Sequence, residues 1–305
     1  MTIALISHPE CALHEAGDSH PEQPARVKVI EAVLHEYPFH VPVRFYGAPL
    51  ATKEELIRAH TQEYVDWIFS VAPHRSYVEI DPDTYMNPHT LNAALRAAGA
   101  VIHAVDLVMS GEVRAAFCNV RPPGHHAEHG NAMGFCFFNN VAVGARHAML
   151  KYDLQRIVIV DFDVHHGNGT QNIFQNDKHV LYCSSFEHPF YPGYDSELDN
   201  EHLLPVPLPA GTDSEEYRAL VQAAWFEKIA AFQPQLIFIS AGFDAHRSDP
   251  LADINLTESD YVWLTTEIVA LAKKYCDGRI VSVLEGGYNL DALKQCVPAH
   301  VNALE

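Results

Sequence analysis

The sequence predicts an α/β fold with a mostly parallel β-sheet and helices on both faces. Three observations predict it. Six short apolar runs, at 2–6, 115–118, 157–161, 180–183, 236–240 and 280–284, are rich in β-branched residues and lack polar alternation, as strands buried on both faces do. Helical patterns lie between them, so the strands need crossover connections and pair in parallel. Residues suited to chemistry gather directly after these runs, where open α/β sheets bind ligands.

Run 2–6 is too short for a signal peptide and reads as the first strand. A helix over 22–37 starts near Pro21 and Pro24, which suit a first turn. An alanine-rich helix over 91–109 stops at Gly111 and leads into strand 115–118. The helix over 140–150 follows an asparagine able to cap it. A helix over 213–232 opens on TDSEE, whose acids suit the positive end of the helix dipole. A helix over 257–275 opens on Thr257, Glu258, Ser259 and Asp260, a capping-box pattern. Long loops are expected at 8–24, 72–90, 121–138, 184–212 and 242–256. No repeat, low-complexity linker or composition break divides the chain, which reads as one domain over 1–305.

The composition, 48% hydrophobic and 19% charged, supports a sizeable core. A net charge of −19 repels phosphate backbones and disfavours direct nucleic-acid binding, while cationic partners such as lysine-rich peptides or polyamines are compatible with it. No run approaches transmembrane length, so no membrane partner is expected. The six cysteines form no C-x-x-C pair and sit mostly in apolar surroundings, as reduced core residues of a cytoplasmic protein do. Of the 20 histidines, isolated ones such as His35, His40, His74 and His147 read as surface or satisfied core residues.

The densest stretch is DFDVHHGNGT, 161–170. Asp163 and His165 are two apart at a strand end, so period-two alternation points both the same way and they can share one ion. A third ligand must come from another strand, and Asp244 in SAGFDAH is the candidate. Two carboxylates and one imidazole leave a position open, the pattern of a catalytic zinc site. A lone D-x-H would more often be a local pair; Asp161, His166 and Asp244 shift the balance to a metal. Two carboxylates cancel the ion's charge, so bound water is acidified less and a nearby base is needed. Gly167 and Gly169 are read as places where the backbone turns tightly.

In RPPGHH, the adjacent His125 and His126 can act as two different groups if each has its own orienting partner. Asp161 and Asn168 are the candidates. We assign His126, on Asn168, as the base, and His125, on Asp161, to electrostatic stabilisation; the plain alternative is a structural histidine pair. Tyr288, after Gly286 and Gly287, can donate to an oxyanion or merely anchor its loop.

RPPGHHAEHGNAMGFCFFNNVA, DFDVHHGNGTQNIF, SAGFDAHRSDPL and LEGGYNL together resemble the histone deacetylase superfamily, which includes acetylpolyamine amidohydrolases and acetoin-utilisation proteins. The resemblance runs from about His20 to the C-terminal helix. Asn168, where class I members usually carry Asp, and GFCFFNN resemble class II. It implies an arginase–deacetylase fold with about eight mostly parallel strands. It implies Zn²⁺, or Fe²⁺ in the cell, on Asp163, His165 and Asp244. It places the tandem histidines at His125 and His126 and the oxyanion donor at Tyr288. Phe135, with Gly134, and Tyr191 in HPFYPG would wall a narrow acyl-lysine tunnel. A K⁺ ion would sit near Asp161, Asp163 and His165, with Ser184 and Ser185 contributing. His166 becomes a structural neighbour of the site, and the loop 72–90, with Asp81, Asp83 and Asn87, would meet the substrate backbone. Where one polyamine-selective group places a glutamate, this chain has Leu251, which favours acyl-lysine; Glu10, Glu15 and Glu22 in the first loop are the acids that would favour a polyamine.

The expected activity is therefore removal of an acetyl or other acyl group from lysine in a protein or peptide. The alternatives are an acetylpolyamine deacetylase, an arginase-like two-metal hydrolase, and a catalytically silent acyl-lysine binder. FDAH lacks the second aspartate of a two-metal site, and retention of every reactive residue weighs against a silent binder.

Overall fold

The computed structural model of the chain describes residues 2–198 and 200–305. Ten strands occur among them: β1 (Ile3–Ser7), β2 (Val43–Gly47), β3 (Val78–Asp81), β4 (Thr84–Met86), β5 (Ala115–Asn119), β6 (Ile157–Asp161), β7 (Val180–Glu187), β8 (Leu203–Leu208), β9 (Leu236–Ala241) and β10 (Ile280–Leu284). Eight form one sheet in the order β2-β1-β5-β10-β9-β6-β7-β8, and each neighbouring pair is parallel.

The six expected strands are the six inner ones. Side chains alternate between two cores: Ile157 and Ile159 enter one, Val158 and Val160 the other. Burying such a side chain contributes about 1.5–3 kcal/mol, which is why both faces of these runs are apolar. The two strands absent from the sequence reading are the edges. β2, VRFYG, is half exposed and has no continuous apolar run. β8 contains Pro205 and Pro207, which an edge strand tolerates because one side needs no ladder donors.

The helices Thr90–Met109 and Asn140–Tyr152 cover one face; Ala25–Glu36, Glu258–Tyr275 and Leu290–Ala303 cover the other. The expected caps form. Asp213 accepts from the backbone N–H groups of Glu215 and Glu216, and Thr257 and Asp260 make the capping box. A π turn at Gln222–Phe226 interrupts the expected single helix over 213–232. The helix expected from residue 22 begins at Ala25, because Glu22 is drawn into a buried ion cluster instead.

Two further expectations change. Thr90–Met109 is, among the described residues, long and apolar enough to cross a membrane by length and composition, against the reading that no run reaches that length. Its small side chains instead pack it into the core beside Asn140–Tyr152. At Gly99, a Cβ would stand 2.1 Å from the Pro49 carbonyl oxygen, so only glycine permits that approach. The segment 72–90 is not all loop: β3 and β4 form an antiparallel hairpin over the site. Asp199, within the expected loop 184–212, lies outside the described residues.

Candidate active site

Parallel register sets the strand ends level. Asp161 at the end of β6 aligns with Ser240 in β9 and Ser184 in β7, and Leu284 in β10 aligns with Ala241. The chain leaving β6 therefore delivers Asp163 and His165 beside the Asp244 that follows β9. Their ligand atoms lie within 4.8 Å of one another, and all three residues are buried. His165 Nδ1 is 3.1 Å from Asp163 Oδ1 and 3.2 Å from Asp244 Oδ2. Backbone N–H groups hold both carboxylates: Gly286 donates to Asp163 Oδ2 (2.7 Å) and Val164 to Asp244 Oδ1 (2.9 Å).

This donor set fits a divalent cation. Burial disfavours charge on His165, yet its bonds to Asp163 and Asp244 raise it to about 10. A proton there serves the two carboxylates as a cation would, by offsetting negative charge that burial makes costly. Gly242 and Gly286 are spaces for these side chains. A Cβ at Gly242 would stand 2.1 Å from Asp163 Oδ2, and one at Gly286 2.0 Å from Asp244 Oδ2.

The two histidines have the distinct partners expected of them. His125 Nδ1 is 3.1 Å from Asp161 Oδ2, and His126 Nδ1 is 2.8 Å from Asn168 Oδ1. Burial opposes charge on His125, but Asp163 and Asp161 hold it well above the ordinary histidine value. Burial, then the charges of His125 and His165, pushes His126 well below it. Asp161 also accepts from the Tyr182 hydroxyl at 2.8 Å. Gly167 is needed for close approach rather than for a tight turn. Its φ is −74°, and a Cβ would stand 2.4 Å from Asp161 Oδ2. Gly169 likewise packs on the Ala127 carbonyl.

A cavity of about 220 Å³ leads to this floor, lined by Asp83, Gly134, Phe135, Phe190, Tyr191, Leu251 and Tyr288 as well as His126 and His165. Gly134 (φ +57°) lies under His126, where a Cβ would meet the imidazole at 2.4 Å. Asp83 in the hairpin turn accepts from Gly134 N–H (3.0 Å), so of the three loop residues expected near substrate it lines the cavity. Asn87 instead ties Leu13 and the start of the helix Thr90–Met109. Tyr288 is held by Asp249, which accepts from its N–H at 2.7 Å, and by Arg26, whose guanidinium lies 5.0 Å from the ring. Burial and the Asp244 charge keep the Tyr288 phenol protonated, well above its usual range.

Among the described residues, Ser184 Oγ is buried with no hydrogen-bond partner of good geometry, beside Asp161 across the β6–β7 pairing. It is an oxygen left available where the monovalent cation is expected, so this site also fits its ion. Ser185 Oγ is 3.4 Å from the Tyr217 hydroxyl. His166 packs its ring against Phe186 and Tyr194 rather than joining the donor set. Glu22 is not a loop acid open to substrate: it is fully buried on Arg26 and Arg121. Glu10 pairs with Arg96 at 2.6 Å.

The sequence reading missed several residues. Glu285 accepts from Gly124 N–H (2.7 Å) and His125 N–H (3.1 Å), fixing the turn that carries both histidines. Phe190 stacks on His165 at 5.6 Å; its place beside Tyr191 in HPFYPG was the available signal. Glu128, two residues after His126, reaches Asn168.

A sequence-family model described as "Histone deacetylase domain" matches residues 20–304. The chain is 37% identical over 299 residues to "Probable deacetylase" of Archaeoglobus fulgidus, covering 95% of this chain and 82% of that protein. It is 38% identical over 275 residues to "Polyamine deacetylase HDAC10" of Mus musculus, covering 83% of this chain and 40% of that protein. It spans 21% of the length of "Type-2 histone deacetylase 2" of Dictyostelium discoideum. The solved structure "Crystal Structure of HDA15 HD domain" superposes with a TM-score of 0.91 at 35% identity, covering 99% of this chain and 88% of that one. The eight-stranded sheet is thus that of the arginase–deacetylase fold, and the chain belongs to the histone deacetylase family as an enzyme of the deacetylase class.

Proposed function

We propose that the chain, acting as one catalytic domain over 1–305, removes acetyl or another acyl group from the ε-amine of lysine in peptides or proteins. One observation carries the reading: the Asp163–His165–Asp244 set and two oppositely tuned histidines meet at the floor of a narrow aromatic cavity. Asp163, His165 and Asp244 would hold Zn²⁺, or Fe²⁺ in the cell, which when bound supplies Lewis acidity to a carbonyl and to water. K⁺ would sit near Asp161, Asp163 and His165, with Ser184 and Ser185 contributing.

The residues of the chain supply the rest. Neutral His126 takes the proton of the attacking water and passes it to the leaving amine. His125, kept cationic by Asp161 and Asp163, places positive charge beside the developing oxyanion. The protonated Tyr288 phenol donates a hydrogen bond to that oxyanion. Phe135, Phe190 and Tyr191 line the path of an aliphatic side chain and exclude water from it. Leu251 puts no carboxylate at the cavity, which supports acyl-lysine. The second reading, an acetylpolyamine substrate, draws on the mouse relative's name and on the Asp83 carboxylate in the lining. The cytoplasm is the proposed compartment, supported by six buried, free cysteines; fractionation of cells making the protein tests it.

The deciding assay compares kcat/KM for an acetyl-lysine peptide and N-acetylspermidine, with and without chelator. A peptide preference lost on chelation supports the proposal. A polyamine preference moves it to the second reading. Turnover of neither substrate by the zinc-loaded protein would sink both.

A further inference from the structure

An amide beside a histidine can face it in two ways. With oxygen toward His126, Nδ1 carries the proton and Nε2 keeps a lone pair; with the NH₂ group toward it, Nδ1 must accept and the proton sits on Nε2. Only the first arrangement leaves a base facing the site. Asn168 Oδ1 is 2.8 Å from His126 Nδ1, while its Nδ2 donates to Glu128 Oε1 at 2.8 Å, with Met133 Sδ at 3.3 Å. A carboxylate can only accept, so a flipped Asn168 would set oxygen against oxygen at that distance. Glu128 is itself fixed through its main chain. Its N–H donates to the Asn131 carbonyl at 2.9 Å, and its carbonyl lies 2.9 Å from His60 Nδ1.

We infer that Glu128 is a positioning residue: its carboxylate locks the Asn168 amide and thereby holds His126 in the Nδ1–H tautomer. The amide transmits orientation while keeping the carboxylate one residue away from the imidazole. The catalytic consequence rests on the deacetylase reading above; the tautomer does not. Glu128 and Asn168 border a cleft of about 530 Å³. In Glu128→Ala, water from that cleft can donate as readily as accept, so the preference for one amide orientation is lost.

The test uses the full chain labelled with ¹⁵N at histidine, with the His126 signals assigned by a His126→Ala spectrum. Long-range ¹H–¹⁵N spectra report the tautomer with or without metal. Wild type should show Nδ1–H on His126, and Glu128→Ala a shift toward Nε2–H. In the zinc-loaded protein, kcat of Glu128→Ala should fall about 10- to 100-fold, a partial loss of the roughly 10²–10⁴-fold that a general base contributes, with KM unchanged. Glu128→Gln, whose amide can turn to donate as readily as accept, should shift the tautomer in the same direction as Glu128→Ala. Asn168→Asp should be damaging beside Glu128, where two carboxylates meet. Adding Glu128→Gln should recover it, because a glutamine amide can donate to the new carboxylate. A Glu128→Ala protein that keeps the Nδ1–H tautomer and wild-type kcat overturns the inference. So does a Glu128→Gln protein with the wild-type tautomer, because a side chain that can also donate leaves both amide orientations open. If wild type hydrolyses neither the peptide nor the polyamine, the deacetylase reading fails while the tautomer spectrum still decides the role of Glu128.

Discussion

Glu22 supports the site from outside the cavity. Its carboxylate joins two buried guanidiniums, Arg26 at 3.0 Å and Arg121 at 2.6 Å, with His14 3.4 Å away. Arg26 also donates to the carbonyls of Gly287 (2.6 Å) and Glu285 (2.5 Å), the residues that lead into Tyr288. Glu22→Gln leaves two buried cations facing a neutral amide, and urea unfolding at pH 7 should show a loss of about 3–5 kcal/mol. Tyr288→Phe removes the proposed oxyanion donor and no buried charge. Steady-state kinetics should show kcat lower by about 10²–10³ at similar KM, with an unchanged melting temperature; undiminished turnover would refute the oxyanion role.

Among the elements, the turns after β9 and β10 matter most, because two glycines there leave room for the Asp163 and Asp244 carboxylates. Neither Gly242 nor Gly286 has a left-handed φ, so alanine meets no φ penalty there; at Gly242 its Cβ meets the Asp163 carboxylate and Cα, at Gly286 the Asp244 and Asp163 carboxylates. Gly286→Ala should push Asp244 and Asp163 apart and weaken zinc affinity by about 10- to 100-fold, the range seen when the partners of metal ligands are altered. A competition titration with a chromophoric chelator measures this, and wild-type affinity would show that the turn simply shifts. The hairpin β3–β4 acts from the other side. Asp83 and Thr84 accept from the N–H groups of Gly134 and Phe135, so this segment shapes the aromatic wall.

The whole molecule carries buried histidines that burial keeps neutral. His300, bonded to Thr265 (2.7 Å) and Ser282 (2.8 Å), is pushed down to about 3, and His60 to about 4. Below the ordinary histidine value near 6.5 the unfolded chain takes up these protons and the folded one does not. Their contribution is therefore complete above pH 6.5 and is lost as pH falls toward 4 and 3, at up to about 1.4 kcal/mol per pH unit for each group. Urea midpoints at pH 7 and pH 5 should converge in His300→Gln relative to wild type; an identical slope would mean His300 is protonated in the fold. Metal binding works on the same balance. Zinc at 100 times its dissociation constant should add about 2.7 kcal/mol, seen as a rise in Tm that chelator reverses.

How much of this was legible depends on the range of the interaction. Period-two spacing on an apolar run already places Asp163 and His165 on one side, because alternation is a local property of extended chain. The six inner strands were legible because burial on both faces demands unbroken apolar runs. The resemblance of four motifs supplied the count of about eight strands that periodicity could not, since the edge strands β2 and β8 are half solvated and need no such runs. Tertiary structure alone decided that Glu22 is a buried counter-ion rather than a substrate-facing acid. It also decided that Asp83 reaches the cavity while Asn87 does not, and which way the Asn168 amide turns. Each of these rests on a partner dozens of residues away, Arg121, Gly134 or Glu128, brought close by strand register and crossover packing. Side-chain patterns record which face of an element is buried; the polar partner waiting there is set by the other elements that the fold stacks against it.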